Sequence, residues 1–133
     1  TFLMENFNKK IVVIAAFLGA LTIAIGAFGA HGLKELVDAN ALKSFETGVR
    51  YQMYHIIDLL VIGLTPIIPL KVKKTIFLFF IIGILLFSGS IYLLSLNAIL
   101  PFNAKSIAFI TPIGGLSFII GWFYLCYSFS KIK

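Results

Sequence analysis

Cysteine is almost absent: Cys126 is the single one in 133 residues, which excludes an intrachain disulfide and any multi-cysteine metal cluster. Set in an apolar run, it reads as a small core residue. Charge is scarce too. Five acids and eleven bases make up 12% of the chain, too little polarity to clothe a soluble domain of this length. The excess of bases leaves a formal net charge of +6, yet they sit in short loops and tails and form no run with interleaved aromatics. Nucleic acid is therefore not an expected partner. Anionic lipid head groups and insertion topology account for the bases instead. A phosphate loop, a nucleophile elbow and a zinc-protease signature are also lacking, so neither an enzyme nor a cofactor is expected.

What is abundant is apolar: 60% of the residues are hydrophobic and the mean hydropathy is +1.05. Apolar runs cover residues 11–30, 51–70, 75–96 and 106–129, each near the roughly 20 residues a helix needs to cross the hydrocarbon core. Alternation at period two is absent and the runs are about twice the length of a barrel strand, so helices are the reading. The expected fold is all-α: one domain over residues 1–133, an integral membrane bundle of four transmembrane helices. Lys9 and Lys10 precede the first run as in a signal peptide, but the run exceeds the roughly 7–15 residues of a signal core and three more follow, so it reads as retained. Met4 reads as the natural start, with Thr1, Phe2 and Leu3 an upstream extension.

In the first loop, residues 31–50, Ala41, Leu42, Phe45 and Val49 recur at helical spacing while Lys43, Glu46 and Arg50 share another face. This pattern predicts a short amphipathic helix on the membrane surface, leading into the second span. Pro66 and Pro69 mark that span's far end. Seven bases (Lys9, Lys10, Lys71, Lys73, Lys74, Lys131, Lys133) fall on the side of the termini, against Lys34, Lys43, Arg50 and Lys105 opposite. Both termini are thus expected in the cytoplasm.

Counting from loop to loop places the unusual residues at one depth. The end of the first span, the start of the second, the end of the third and the start of the fourth all lie on the side of the first and third loops. The opposite halves are nearly all aliphatic and aromatic. Tyr51, Tyr54, His55 and Asp58 form one stripe at three- and four-residue spacing, with Thr65 further along it. Asp58 falls near the bilayer centre, where an ionised carboxylate costs roughly 2.5–3.5 kcal/mol, and His55 is its expected partner. Pro112 predicts a kink or a late helix start, with Thr111 beside it. Ala15, Gly19, Gly26, Gly29, Gly83, Gly89, Gly114, Gly115, Ser117 and Gly121 read first as helix-packing residues, as do Ser88 and Ser90. His31, His55 and Asp58 are suitable metal ligands by type, but their spacing fixes no tetrahedral site, and no metal is expected.

The strings Gly26-Ala27-Phe28-Gly29-Ala30-His31, Tyr51-Gln52 with His55, Phe87-Ser88-Gly89-Ser90 with Tyr92, Thr111-Pro112-Ile113-Gly114-Gly115 and Gly121-Trp122 occur in that order. Together they resemble the small membrane-protein family called domain of unknown function 423, over about residues 11–129. The resemblance implies a four-helix inner-membrane protein and brings no activity, substrate or catalytic residue. It also implies that the position of Asp58 is usually small or apolar, which moves weight onto His31, Tyr51, Gln52 and His55.

The expected function is a non-catalytic protein of the bacterial inner membrane that acts by binding: a homo-oligomer, an accessory subunit of a larger complex, or a module that contacts membrane lipid. The alternative is a small transporter or channel subunit. Its polar site would be lined by His31, Tyr51, Gln52, His55, Ser88, Ser90, Tyr92 and Thr111, with proton coupling through His55 or Asp58. An intramembrane enzyme acting on lipid has little support.

Overall fold

The computed structural model describes residues 6–133, so Met4 and the residues before it lie outside the described part. The described residues form helices joined by turns and short loops, with no strand among them. Helix α1 spans Asn6–Ala30, α2 Ala39–Leu64, α3 Leu70–Gly83, α4 Gly89–Ser95 and α5 Ile110–Ser130. A π-helical segment, Ile84–Ser88, joins α3 to α4 without a break, making one continuous rod from Leu70 to Ser95. Three stretches are long and apolar enough to cross a membrane: Phe7–Glu35, Leu70–Ser95 and Ala104–Ser130.

The second predicted span differs most from expectation. In place of a surface helix followed by a span over residues 51–70, there is one straight element, α2, from Ala39 to Leu64. Asp38 starts it by accepting a hydrogen bond from the Ala41 N–H at 2.8 Å. Thr65 ends it ahead of Pro66, and Pro69 then caps α3. The apolar stripe of the first loop is real but faces protein. Phe45 is buried against Gly29 of α1 and the ring of Tyr92 in α4, while Lys43, Glu46 and Arg50 are exposed. The helical piece inside the first loop is a 3-10 turn, Leu33–Glu35.

α1 and α2 run antiparallel in constant register, with Gly29 facing Phe45, Gly26 facing Val49, Gly19 facing Ile56 and Gly63 facing Ile11 and Val12. The third rod changes neighbour along its length: α3 packs on α5, and α4 packs on α2. The π segment lies where the neighbours change and touches both α5 and α2. Facing α3, α5 lies close. A Cβ on Gly114 would sit 2.2 Å from the Phe87 backbone nitrogen, and one on Gly121 would sit 2.5 Å from the Phe80 ring. Only glycine permits these approaches. Gly89 and Gly115 meet nothing nearer than 3.9 and 3.7 Å, so their contacts do not demand glycine.

The core on the side of the second loop holds Ile11, Ile62, Ile76, Phe80 and Phe118. Pro112 sits in the first turn of α5, where its missing N–H leaves no helical bond unmade. Lys73, counted among the loop bases, is 1% exposed and belongs to the interior.

Candidate functional site

The polar residues of the first-loop side do not share one cavity; they divide into three groups. The first is a chain of hydrogen bonds crossing three helices. Tyr92 donates its hydroxyl to Gln52 Oε1 at 2.7 Å, Gln52 Nε2 donates to Thr22 Oγ1 at 2.7 Å, and Thr22 donates to the Leu18 carbonyl at 2.6 Å. Gln52 and Thr22 each both accept and donate, which is how a buried network stabilises a single arrangement. Gln52 and Thr22 are buried. Beside it, Ser88 donates to the Gly48 carbonyl at 2.7 Å, tying the π segment to α2.

The second group joins α4 to α5. Ser90 donates to the carbonyls of Leu86 and Phe87, at 2.5 and 3.0 Å, in the π segment, where carbonyls lack ordinary helical partners. Ser90 has one hydroxyl proton, so Thr111 supplies the proton of the 2.5 Å contact between the two side chains. Deeper in the bundle, Ser117 bonds the Phe79 carbonyl at 2.6 Å and joins α5 to α3.

His55 forms the third group. Trp122 donates its indole N–H to Nε2 at 3.0 Å, and Nδ1 lies 2.6 Å from the Tyr51 carbonyl. An indole nitrogen only donates and a carbonyl only accepts, so the ring is neutral with its proton on Nδ1. Phe118 stacks on the imidazole at a centroid distance of 3.6 Å, and Phe80 meets it edge-on at 4.8 Å. With 4% exposure, both nitrogens engaged and aromatic rings around it, His55 holds α2 to α5.

The expected His55–Asp58 pair is not formed. Asp58 is half-buried and its Oδ2 is buried with no hydrogen-bond partner among the described residues. His31 is exposed at the end of α1, away from all three groups. Among the described residues no three of His, Cys, Asp and Glu come close enough together to hold a metal ion. Sequence reasoning passed over Thr22, which looks like any small residue in an apolar run. Trp122 entered it only as part of a resemblance string, and its bond to His55 joins positions 67 residues apart.

Next to His55 lies a groove of about 550 Å³ between α2 and α5, lined by Tyr51 and Tyr54 on one wall and Gly115, Ile119 and Trp122 on the other, with Phe87 and Phe118 beneath. Tyr51, Tyr54, Ile119 and Trp122 are exposed. A second hollow of about 290 Å³, lined by Ser44, Thr47, Ile91, Leu94, Ala108 and Thr111, lies nearer the loops between the same helices.

Long apolar helices, buried polar groups bonded from helix to helix and outward-facing aromatics define a helical membrane protein. Residues 25–115 match the family described as "Protein of unknown function (DUF423)". The chain is 41% identical to a "UPF0382 membrane protein" of Haemophilus influenzae, over 95% of this chain and 98% of that one. It is 37% identical to the "UPF0382 membrane protein YwdK" of Bacillus subtilis, over 86% and 90%. It is 32% identical to the "UPF0382 inner membrane protein YgdD" of Escherichia coli, over 95% and 93%. The chain belongs to this family. No solved structure matches it.

Proposed function

We propose that the protein is a non-catalytic bacterial inner-membrane protein that acts by binding, as an oligomer, an accessory subunit or a lipid-contacting module. The observation that carries this reading is the state of His55. Its two nitrogens are taken by Trp122 and the Tyr51 carbonyl, so it is spent on holding helices and has no lone pair for a substrate proton. Gln52, Ser88 and Ser90 are spent in the same way.

In this reading α2 makes a fourth crossing. Its constant antiparallel register with α1 supports that, as does the outward stripe of Tyr54, Ile57, Val61 and Leu64. Both termini then face the cytoplasm, by six bases against four once the interior Lys73 is set aside. Native mass spectrometry of the protein extracted from its own membrane tests the reading. A fixed-stoichiometry partner, a homo-oligomer or a retained lipid is expected; a bare monomer with none of these counts against it.

One observation favours a second reading, a proton-coupled transporter or channel subunit: the unpartnered Asp58 Oδ2 lies within α2, six residues before its end and closer to the second loop than the bilayer centre expected of it. Proton flux in proteoliposomes that disappears in Asp58→Asn supports it, and no flux removes it.

A further inference from the structure

The two hollows between α2 and α5 line up. On α2 their walls continue from Ser44 and Thr47 to Tyr51 and Tyr54; on α5 they continue from Thr111 to Gly115 and Trp122. Between them, α4 and the π segment supply the floor through Leu94, Ile91 and Phe87. The twelve residue steps of α5 from Ile110 to Trp122 cover about 18 Å. That is close to the depth of one leaflet, roughly 15 Å of hydrocarbon plus its head-group layer.

Polarity changes along this length. The loop end carries the hydroxyls of Ser44, Thr47 and Thr111, and the deep end is aromatic. Arg50, exposed, lines a neighbouring hollow with Glu46 on the α1 side of α2, and it reaches back one turn so that Nη2 donates to Thr47 Oγ1, a residue of the polar end, at 3.1 Å. Exposed Lys43 and Lys105 flank the same end in sequence, next to Ser44 and three residues before Ala108. Of the acids on this side, Asp38 is committed to capping α2, while Glu35 and Glu46 are exposed.

We propose that these two hollows, in series along α2 and α5, together bind one glycerophospholipid with an anionic head group, its phosphate at the Arg50 end and one acyl chain along the aromatic floor down to Trp122. The proposal rests on the reading that the protein acts by binding, and it names the ligand. Cation, hydroxyl and apolar floor occur in the order that such a lipid presents phosphate, glycerol and chain, and at matching depth. A second copy of the chain would leave the Arg50 end unmatched, because the patch it would meet carries the same charge.

Trp122 is the protein's single tryptophan, so its fluorescence reports on the deep end of the groove alone. The full chain is reconstituted in phosphatidylcholine vesicles containing a small fraction of brominated phosphatidylglycerol or, in parallel, brominated phosphatidylcholine. Brominated phosphatidylglycerol is expected to quench Trp122 with about fivefold higher apparent affinity, the effect of one basic residue near an anionic lipid. Arg50→Gln should bring the ratio to near one, and Thr47→Val, which keeps the charge but releases the guanidinium, should lower it partway. Gly115→Leu, filling the space from the α5 wall, should reduce quenching by both lipids, with retained helicity and elution volume confirming the fold. Equal quenching by the two lipids in the parent protein, or a preference unchanged in Arg50→Gln, overturns the proposal. If Trp122 is shielded from both lipids and native mass spectrometry gives a dimer, the groove is a protein interface. The lipid proposal then falls while the binding reading stands. A bare monomer without lipid preference overturns both.

Discussion

The two ends of this bundle are held together by different physics. Toward the first and third loops, helix meets helix through side-chain hydrogen bonds: Thr22 to Gln52 to Tyr92, Ser88 to Gly48, and Ser90 to Thr111. Toward the second loop they meet mainly through shape, with the Phe80 ring against Gly121 and the Phe118 ring against Gly83, and Ser117 and Trp122 add one hydrogen bond each. In lipid neither kind of contact gains from removing apolar surface from water, because the tails are as apolar as the side chains. Each must succeed by packing or by satisfying polar groups. The polar end specifies one register, since a slipped helix would strand buried donors and acceptors. The apolar end is dense, and what it cannot tolerate is a change in volume.

Truncation at the apolar end should have the largest effect. Phe80→Ala leaves a void beside Gly121 and His55, and a loss of about 3 kcal/mol is expected, read as a lower Tm in detergent. Should the midpoint not move, the interlocked end contributes little and the comparison fails. Gly114→Val pushes a side chain into the Phe87 backbone and should cost about 2–3 kcal/mol; Gly115→Ala, where only the edge of the Phe87 ring is near, should change Tm hardly at all. The contrast between these adjacent glycines is the cleanest measure of close approach.

Asp58→Leu should raise stability by about 1–2 kcal/mol, because it removes a buried oxygen that has no partner. A loss of stability instead would mean that the carboxylate finds a partner in the membrane. Breaking single hydrogen bonds between helices should have the smallest effects. Gln52→Leu should cost about 1 kcal/mol and Trp122→Phe about 0.6, the scale of hydrogen bonds between membrane helices. A cost for Gln52→Leu matching that of Phe80→Ala would show the network acting as one unit.

Much of the frame could be read from residue types. Apolar length located helices in all four predicted regions, the prolines at positions 66 and 69 marked the turn between α2 and α3, and Pro112 fell in a helix's first turn. The joining of the first-loop helix to the second span was hidden, because its apolar stripe looks the same whether it faces lipid or protein. Only the position of Phe45 between Gly29 and Tyr92 separates the two. The candidate polar residues were legible one by one, while their pairing was not. The stripe on α2 put Asp58 one turn from His55, but adjacency on one helix says nothing about a neighbour arriving from another, and Trp122 arrives first. The π segment has no composition that marks it.

That segment has a consequence for how such a chain can change. A π turn is an α-helix with one residue to spare. Deleting one residue between Ile84 and Ser88 would close the turn to plain α geometry and leave Ser90 and Tyr92 facing nearly the helices they face now, because the turn had already absorbed the extra residue. The same deletion within Leu70–Gly83, where no turn has a residue to spare, would swing one part of the rod against the other by about 100°. The five residues act as slack in the rod's length. A single-residue deletion there should therefore be far milder than one a turn or two earlier, although both remove the same amount of chain.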